Sequence, residues 1–290
     1  MIETLEKKKY WIWLSCVKGL GSIRKQILLN RYKTPERIYN LKKEEILQIK
    51  GFNEILAENI LCKENKENIE KQIEFLQKED VKMITIEDKE YPKTLKTIYD
   101  YPICLYVKGN ETILDTPSIG IVGCRESSSY GETVAQYFAY HLSKRKVTII
   151  SGLAKGIDSQ AHIGTLKAKG ITIGVVGNGL DMVYPKENEY LYDKIVEEHG
   201  AIISEYPLGT KPEKINFPAR NRIISGMSKG IIVVEAKKKS GTLITVDFAL
   251  EQGKNVYVVP GNIDKMNSVG TNDLIKQGAQ IVTSYKDIEL

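Results

Sequence analysis

The stretch Ala201–Ile263 reads AIISEYPLGTKPEKINFPARNRIISGMSKGIIVVEAKKKSGTLITVDFALEQGKNVYVVPGNI, and the fold can be argued outward from it. Three short β-branched runs, Ala201–Ser204, Gly230–Glu235 and Val256–Val259, alternate with two segments of helical period. Strands separated by single helices imply a parallel, doubly wound sheet. Such sheets bind ligands beyond the carboxyl ends of their strands, which is where the polar inserts lie. The first insert, KPEKINFPARNR, sets Lys211, Lys214, Arg220 and Arg222 against one acid, Glu213, with Asn216 and Phe217 among them. Cations interleaved with an aromatic ring suit a surface that holds phosphates and stacks a base. The second insert, AKKKSGTLIT, places Ser240, Gly241 and Thr242 at a helix start behind three lysines. Free amides and the helix dipole favour an anion there.

Upstream, SIGIVG from Ser118 reads as a buried strand, and ESSSYG leads into a helix near Thr133 to Lys144. The glycine pattern is G-x-x-G-x-R, so the G-x-G-x-x-G dinucleotide fingerprint is absent and no dehydrogenase is expected. Arg125 follows the strand end beside a helix N-terminus, a place where a guanidinium fork and free amides hold phosphate. KVTIIS forms the next strand and runs into SGLAKGIDSQAHIG. Asp158 and His162 are four apart and share a helix face. With no nucleophile elbow and no metal triad near them, capping and packing explain them better than acid–base catalysis, while Ser151 is a cap or a phosphate contact. ITIGVVG is a third strand, and Lys186 stands in its loop. If strand ends converge, Arg125, Lys186 and the KPEKINFPARNR segment face one groove.

Residues 81–110 hold two apolar runs, VKMITI and ICLYVKG, which extend the sheet at an edge or form its entry. Residues 1–78 read as a separate helical domain of helix-hairpin-helix or SAM-like type, and 79–290 as a Rossmann-like α/β domain. In the helical part Gly19, Gly21 and Gly51 sit in tight turns, and two readings stay open: turns that present amides to phosphate, or glycines that merely end helices. Downstream, a helix near Gly270 to Gln277 precedes a last strand near Gln280 to Thr283, and Leu274 and Ile275 pack on the sheet or form a dimer contact.

The 290 residues carry 42 Lys and Arg against 37 Asp and Glu, a net charge of +5 that decides little by itself. Cys16, Cys62, Cys104 and Cys124 are scattered without a C-x-x-C pair, which argues against zinc and against a disulfide framework. MIETLEKKKYWIWLSCV is a poor signal peptide, and no run approaches the ~18 apolar residues of a membrane helix. A cytoplasmic protein with no metal, no cofactor and no membrane partner is expected.

Five blocks carry a resemblance. GIVGCRESSSYG, SGLAKGIDSQAHIG, GNGLDMVYPKEN, SEYPLGTKPEKINFPARNRIISGMSKGIIVVEAKKKSGTLIT and VPGNI, in this order, resemble the DNA-processing protein A family (DprA, also called Smf), over roughly residues 85–285. The resemblance implies a Rossmann-like fold, single-stranded DNA binding in natural transformation, a homodimer formed through the C-terminal α/β region, and loading of RecA recombinase. Many members continue into a winged helix, and none is expected within these residues.

A non-enzymatic single-stranded DNA binder is therefore the leading expectation. Arg125, Lys186, Lys214, Arg220 and Arg222 would neutralise phosphates and Phe217 would stack a base. Five contacts at roughly −0.7 each give a salt slope of about −3.5. The rival is an enzyme similar to nucleotide phosphoribohydrolases of the lysine decarboxylase-like group, whose P-G-G-x-G-T-x-x-E loop is here K-S-G-T-L-I-T, without the acid. A nucleotide sensor would use the same anion sites.

Overall fold

A computed structural model describes residues 2–289. The short apolar runs pair into a nine-stranded sheet of order β1-β2-β6-β5-β4-β3-β7-β8-β9. Its strands are β1 (Lys82–Thr85), β2 (Cys104–Gly109), β3 (Ser118–Val122), β4 (Thr148–Ser151), β5 (Thr172–Val175), β6 (Ala201–Ser204), β7 (Gly230–Val233), β8 (Asn255–Val258) and β9 (Gln280–Ile281). From β6 through β9 all pairing is parallel, while β1 and β2 run antiparallel at the edge. The mixed, mostly parallel, doubly wound architecture anticipated from the sequence is thus present.

Period-two alternation sends neighbouring side chains to opposite faces, and each face is buried by helices. Ile119 and Ile121 meet Phe138 and Leu142 of the helix Ser129–Lys144 and Ile157 of Ile157–Lys167. Val122, Ile150 and Val233 face Ile223, Val246 and Leu274 from the helices Asn216–Met227, Gly241–Glu251 and Met266–Lys276. Fully burying one such aliphatic side chain contributes roughly 1.5–3 kcal/mol. Leu274 is 8% exposed and inward-facing, so its expected role as a dimer contact is corrected. Ile275 packs partly buried against the same cluster. The reason is register: the helix that covers β8 turns Leu274 toward the sheet.

Among the described residues, eight helices lie between Ile2 and Lys78. Their core, including Trp13, Leu28 and Ile60, runs without a break onto Met83, Tyr106 and Ile202 of the sheet. Lys8 Nζ also bonds Met83 O and Asp88 at 2.7 Å, so the helical segment is fastened to the sheet edge by polar as well as apolar contacts. No helix is long and apolar enough to cross a membrane among the described residues.

The winding reverses between β3 and β7. Successive strands β3, β4, β5 and β6 step one way from that point and β7, β8 and β9 step the other. Two connections therefore diverge above the β3 and β7 carboxyl ends and leave a crevice, the place where open α/β sheets hold ligands.

Candidate nucleic-acid interface

A cavity of about 570 Å³ occupies this crevice. The β3 end supplies Gly123, Cys124 and Arg125, the helix Asn216–Met227 supplies Phe217, Arg220 and Asn221, and the loop before it supplies Lys214. Ser240, Gly241 and Thr242 at the start of Gly241–Glu251 close the other wall, with Lys237 beside them.

Phe217 lies between two partners. The Arg125 guanidinium is 5.6 Å from its ring centroid, and the Tyr184 ring is 5.5 Å away at a 35° tilt. Tyr184 is 44% exposed, so the pair presents aromatic surface to solvent. Sequence reasoning missed Tyr184, although applying the strand-end rule to the loop after β5 would have found it. Arg125 itself is exposed and has no carboxylate partner among the described residues.

Arg220 is 4% exposed and donates through Nη1 to Gly152 O at 2.7 Å and to Val175 O. These two carbonyls belong to the β4 and β5 ends, so the strand termini themselves aim the guanidinium. Asp158 lies near it and accepts from the Gly152 amide at 3.1 Å. Burial raises the Asp158 carboxyl to about 6 against the pull of Arg220. Burial likewise lowers Arg220 to about 10, against the attraction of Asp158. Glycine is required at Gly152, where a Cβ would lie 2.6 Å from Asp158 Oδ2 and 2.7 Å from Arg220 Nη2.

Several expectations need correction. The segment KPEKINFPARNR is not one loop, because the helix begins at Asn216. Helical period then separates Arg220 from Arg222 by about 200° around the axis. Arg222 points away from the cavity, with its side chain 5% exposed, and bonds Asp100 at 2.9 Å and Glu205 at 2.7 Å. Burial lowers its pKa, but the attraction and hydrogen bonds of Glu205, helped by Asp100, outweigh this and raise it. As placed, it is a structural ion-pair centre and no phosphate contact. Asn216 is buried at the helix start and Lys186 is exposed outside the cavity lining.

The amides after Arg125 are also committed. Glu235, 3% exposed, accepts from Ser128 N at 3.0 Å and from Ser128 Oγ, which in turn caps the helix by accepting from Gly131 N. Ser240 Oγ takes the Thr242 amide at 3.2 Å, so it acts as a helix cap. Lys237, the first of the three lysines, is drawn to Glu126 at 2.6 Å. Ser151 neither caps nor reaches the cavity: it is buried and donates to Ile121 O at 2.6 Å.

His162 is fully buried. Thr172 Oγ1 donates to Ile149 O at 2.8 Å, which makes it the acceptor for His162 Nδ1–H at 2.7 Å. Nε2 is left without a partner, and burial lowers the imidazole pKa to about 3. Both members of the Asp158–His162 pair are thus held by the scaffold.

The fold and this crevice define a Rossmann-like protein with a cationic, aromatic-lined site at the sheet's switch point. The protein-family profile described as DNA recombination-mediator protein A matches residues 82–289, and the chain belongs to that family, the DNA-processing protein A or DprA/Smf proteins. It is 46% identical over 209 residues to the DNA processing protein DprA of Bacillus subtilis, covering 72% of this chain and 70% of that one. The X-ray structure of DNA processing protein A from Streptococcus pneumoniae superposes with TM-score 0.85 at 37% identity, covering 96% of each chain. A Helicobacter pylori DNA processing protein A, solved for its single-stranded DNA binding mode, matches with TM-score 0.65 at 32% identity, over 71% of this chain and 93% of that one.

Proposed function

We propose that this chain is a non-enzymatic protein that binds single-stranded DNA in the cytoplasm, protecting incoming strands during natural transformation and delivering them to RecA recombinase. The observation that carries the reading is the convergence of Arg125, Lys214 and Arg220 around the Phe217 ring in one cavity. Converging cations, of which Arg220 is positioned by backbone carbonyls, suit phosphates, and an aromatic face suits any base. The single-stranded DNA binding described for the Helicobacter pylori relative supports the same ligand. A non-catalytic role fits the chemistry of the Asp158–His162 pair, since Asp158 is pinned to a backbone amide and His162 is sealed in the core.

Within this reading residues 1–78 form a helical domain and 79–290 the DNA-binding domain. A homodimer also belongs to it, with contacts other than the buried Leu274. Three cavity cations imply a salt slope of about −2.1 for a short strand, at roughly −0.7 per phosphate.

Fluorescence anisotropy with labelled oligothymidine tests the proposal. The expected result is binding that weakens with salt, that is much poorer for duplex, and that falls for Arg125→Ala and Lys214→Glu without loss of fold. Equal affinity for a mononucleotide would point to a sensor, release of free base from nucleoside monophosphates to an enzyme, and unaltered binding by both variants would remove the cavity from the mechanism.

A further inference from the structure

The N-terminal helices contain a repeated turn. Lys18-Gly19-Leu20 and Lys50-Gly51-Phe52 share a lysine, a left-handed glycine (φ 73° and 87°) and a buried apolar residue. The first turn is fastened to the helix Glu54–Leu61 that follows the second, with Asn59 Nδ2 donating to Lys18 O at 3.1 Å and Gly19 lying against Leu56. Lys50 and Gly51 of the second turn, with Leu20 and Gly21 at the end of the first, line a cavity of about 720 Å³ between the helical segment and the α/β sheet.

The electrostatics of this cavity favour an anion. Asp100 and Glu205 line it, but both are engaged by Arg222. Lys25, also lining it, donates to Ser15 O at 2.9 Å and forms no ion pair among the described residues. Two inner cations therefore balance the two carboxylates. Arg24 and Lys50 at the exposed mouth have no acidic partner among the described residues and set its sign. The helix Ser22–Tyr32 starts there from Gly21, which has no side chain to cap its first amides.

This mouth and the cavity at the switch point lie on opposite sides of the same helix. Phe217 and Arg220 of Asn216–Met227 face one, and Ala219 and Arg222 face the other. A helix with its side chains is about 10–12 Å across, a gap that a few nucleotides span. Between them the helix start exposes Lys214 and Ile215.

We propose that the mouth of this cavity forms a second phosphate site, in which Arg24 and Lys50 hold the backbone of a single strand that has passed over the start of Asn216–Met227 from the Phe217 cavity. The inference rests on the single-strand reading above and extends it. It makes the helical segment part of the DNA path and predicts a length-dependent affinity.

The test uses the full chain, with Arg24→Glu and Lys50→Glu combined, against a short oligothymidine that fills only the first cavity and a long one of about 20 nucleotides. For the long strand the wild-type salt slope should be about −3.5 and the variant's about −2.1, so that between about 50 and 200 mM salt the variant loses about sevenfold less affinity. At about 200 mM salt it should bind the long strand about tenfold more weakly and the short strand unchanged. Circular dichroism checks the fold, and Arg24→Gln with Lys50→Gln serves if the reversals unfold it. A long-strand affinity and slope equal to wild type, or an equal loss for both lengths, overturns the second site. Failure of the wild type to bind either strand overturns the parent reading and the inference with it.

Discussion

Arg222→Ala separates the roles that sequence and structure give to this residue. In the fold its guanidinium joins Asp100 and Glu205, and its Nη2 reaches Ser22 Oγ of the N-terminal helices at 2.9 Å. Removing the cation strands Glu205, 12% exposed, in a poorly solvated site, while Asp100 at 31% can still recruit water. Breaking a buried pair by deleting one partner costs about 3–5 kcal/mol. The partial exposure of Asp100 argues for the lower end, about 3 kcal/mol. At about 2–4 °C per kcal/mol for a chain approaching this size, Tm should fall by about 6–12 °C. Thermal unfolding followed by circular dichroism reads the shift, and hydrogen exchange should show the helix Ser22–Tyr32 loosened. Below the new Tm, binding of a short oligothymidine and its salt slope should stay near wild type. An unchanged Tm together with a salt slope reduced by about 0.7 would refute the reasoning, because it would make Arg222 a phosphate contact after all.

Phe217→Ala should weaken strand binding by about 1–3 kcal/mol in anisotropy titrations while leaving the salt slope in place; a shallower slope would mean that the ring serves to position Arg125. His162 is neutral in the fold, with its pKa lowered to about 3, whereas the unfolded chain takes up its proton below about 6.5. Its contribution is therefore complete above that pH and is lost as pH falls from about 6.5 toward 3. Asp158 acts oppositely: raised to about 6, it favours the fold increasingly as pH falls from 6 toward 3.8. His162→Gln should accordingly flatten the loss of stability between pH 7 and 4.5 in urea titrations, and an unaltered pH profile would discard the assignment. Gly156 has φ 75°, and a Cβ there would lie 2.3 Å from Cys124 O, so Gly156→Ala should cost on the order of 1–3 kcal/mol; a wild-type urea midpoint would contradict that.

The sequence by itself determined the elements that repeat locally. β-branched runs between helix-period segments specify a wound parallel sheet, which is present from β3 through β9, and the polar strand ends mark the crevice in which a cavity lies. It also marked Arg125, Lys214, Phe217 and Arg220, which the fold brings to one cavity. Only the tertiary structure decided which charges remain available. Arg220 and Arg222 look equivalent in NFPARNR, yet a helix turns residues two apart to nearly opposite sides, and the acids that claim Arg222 come from positions 100 and 205. Glu235 likewise claims the Ser128 amide from 107 residues away. Partners so distant in the chain leave no local pattern, because charge neutralisation depends on separation in space and burial, neither of which a linear spacing encodes.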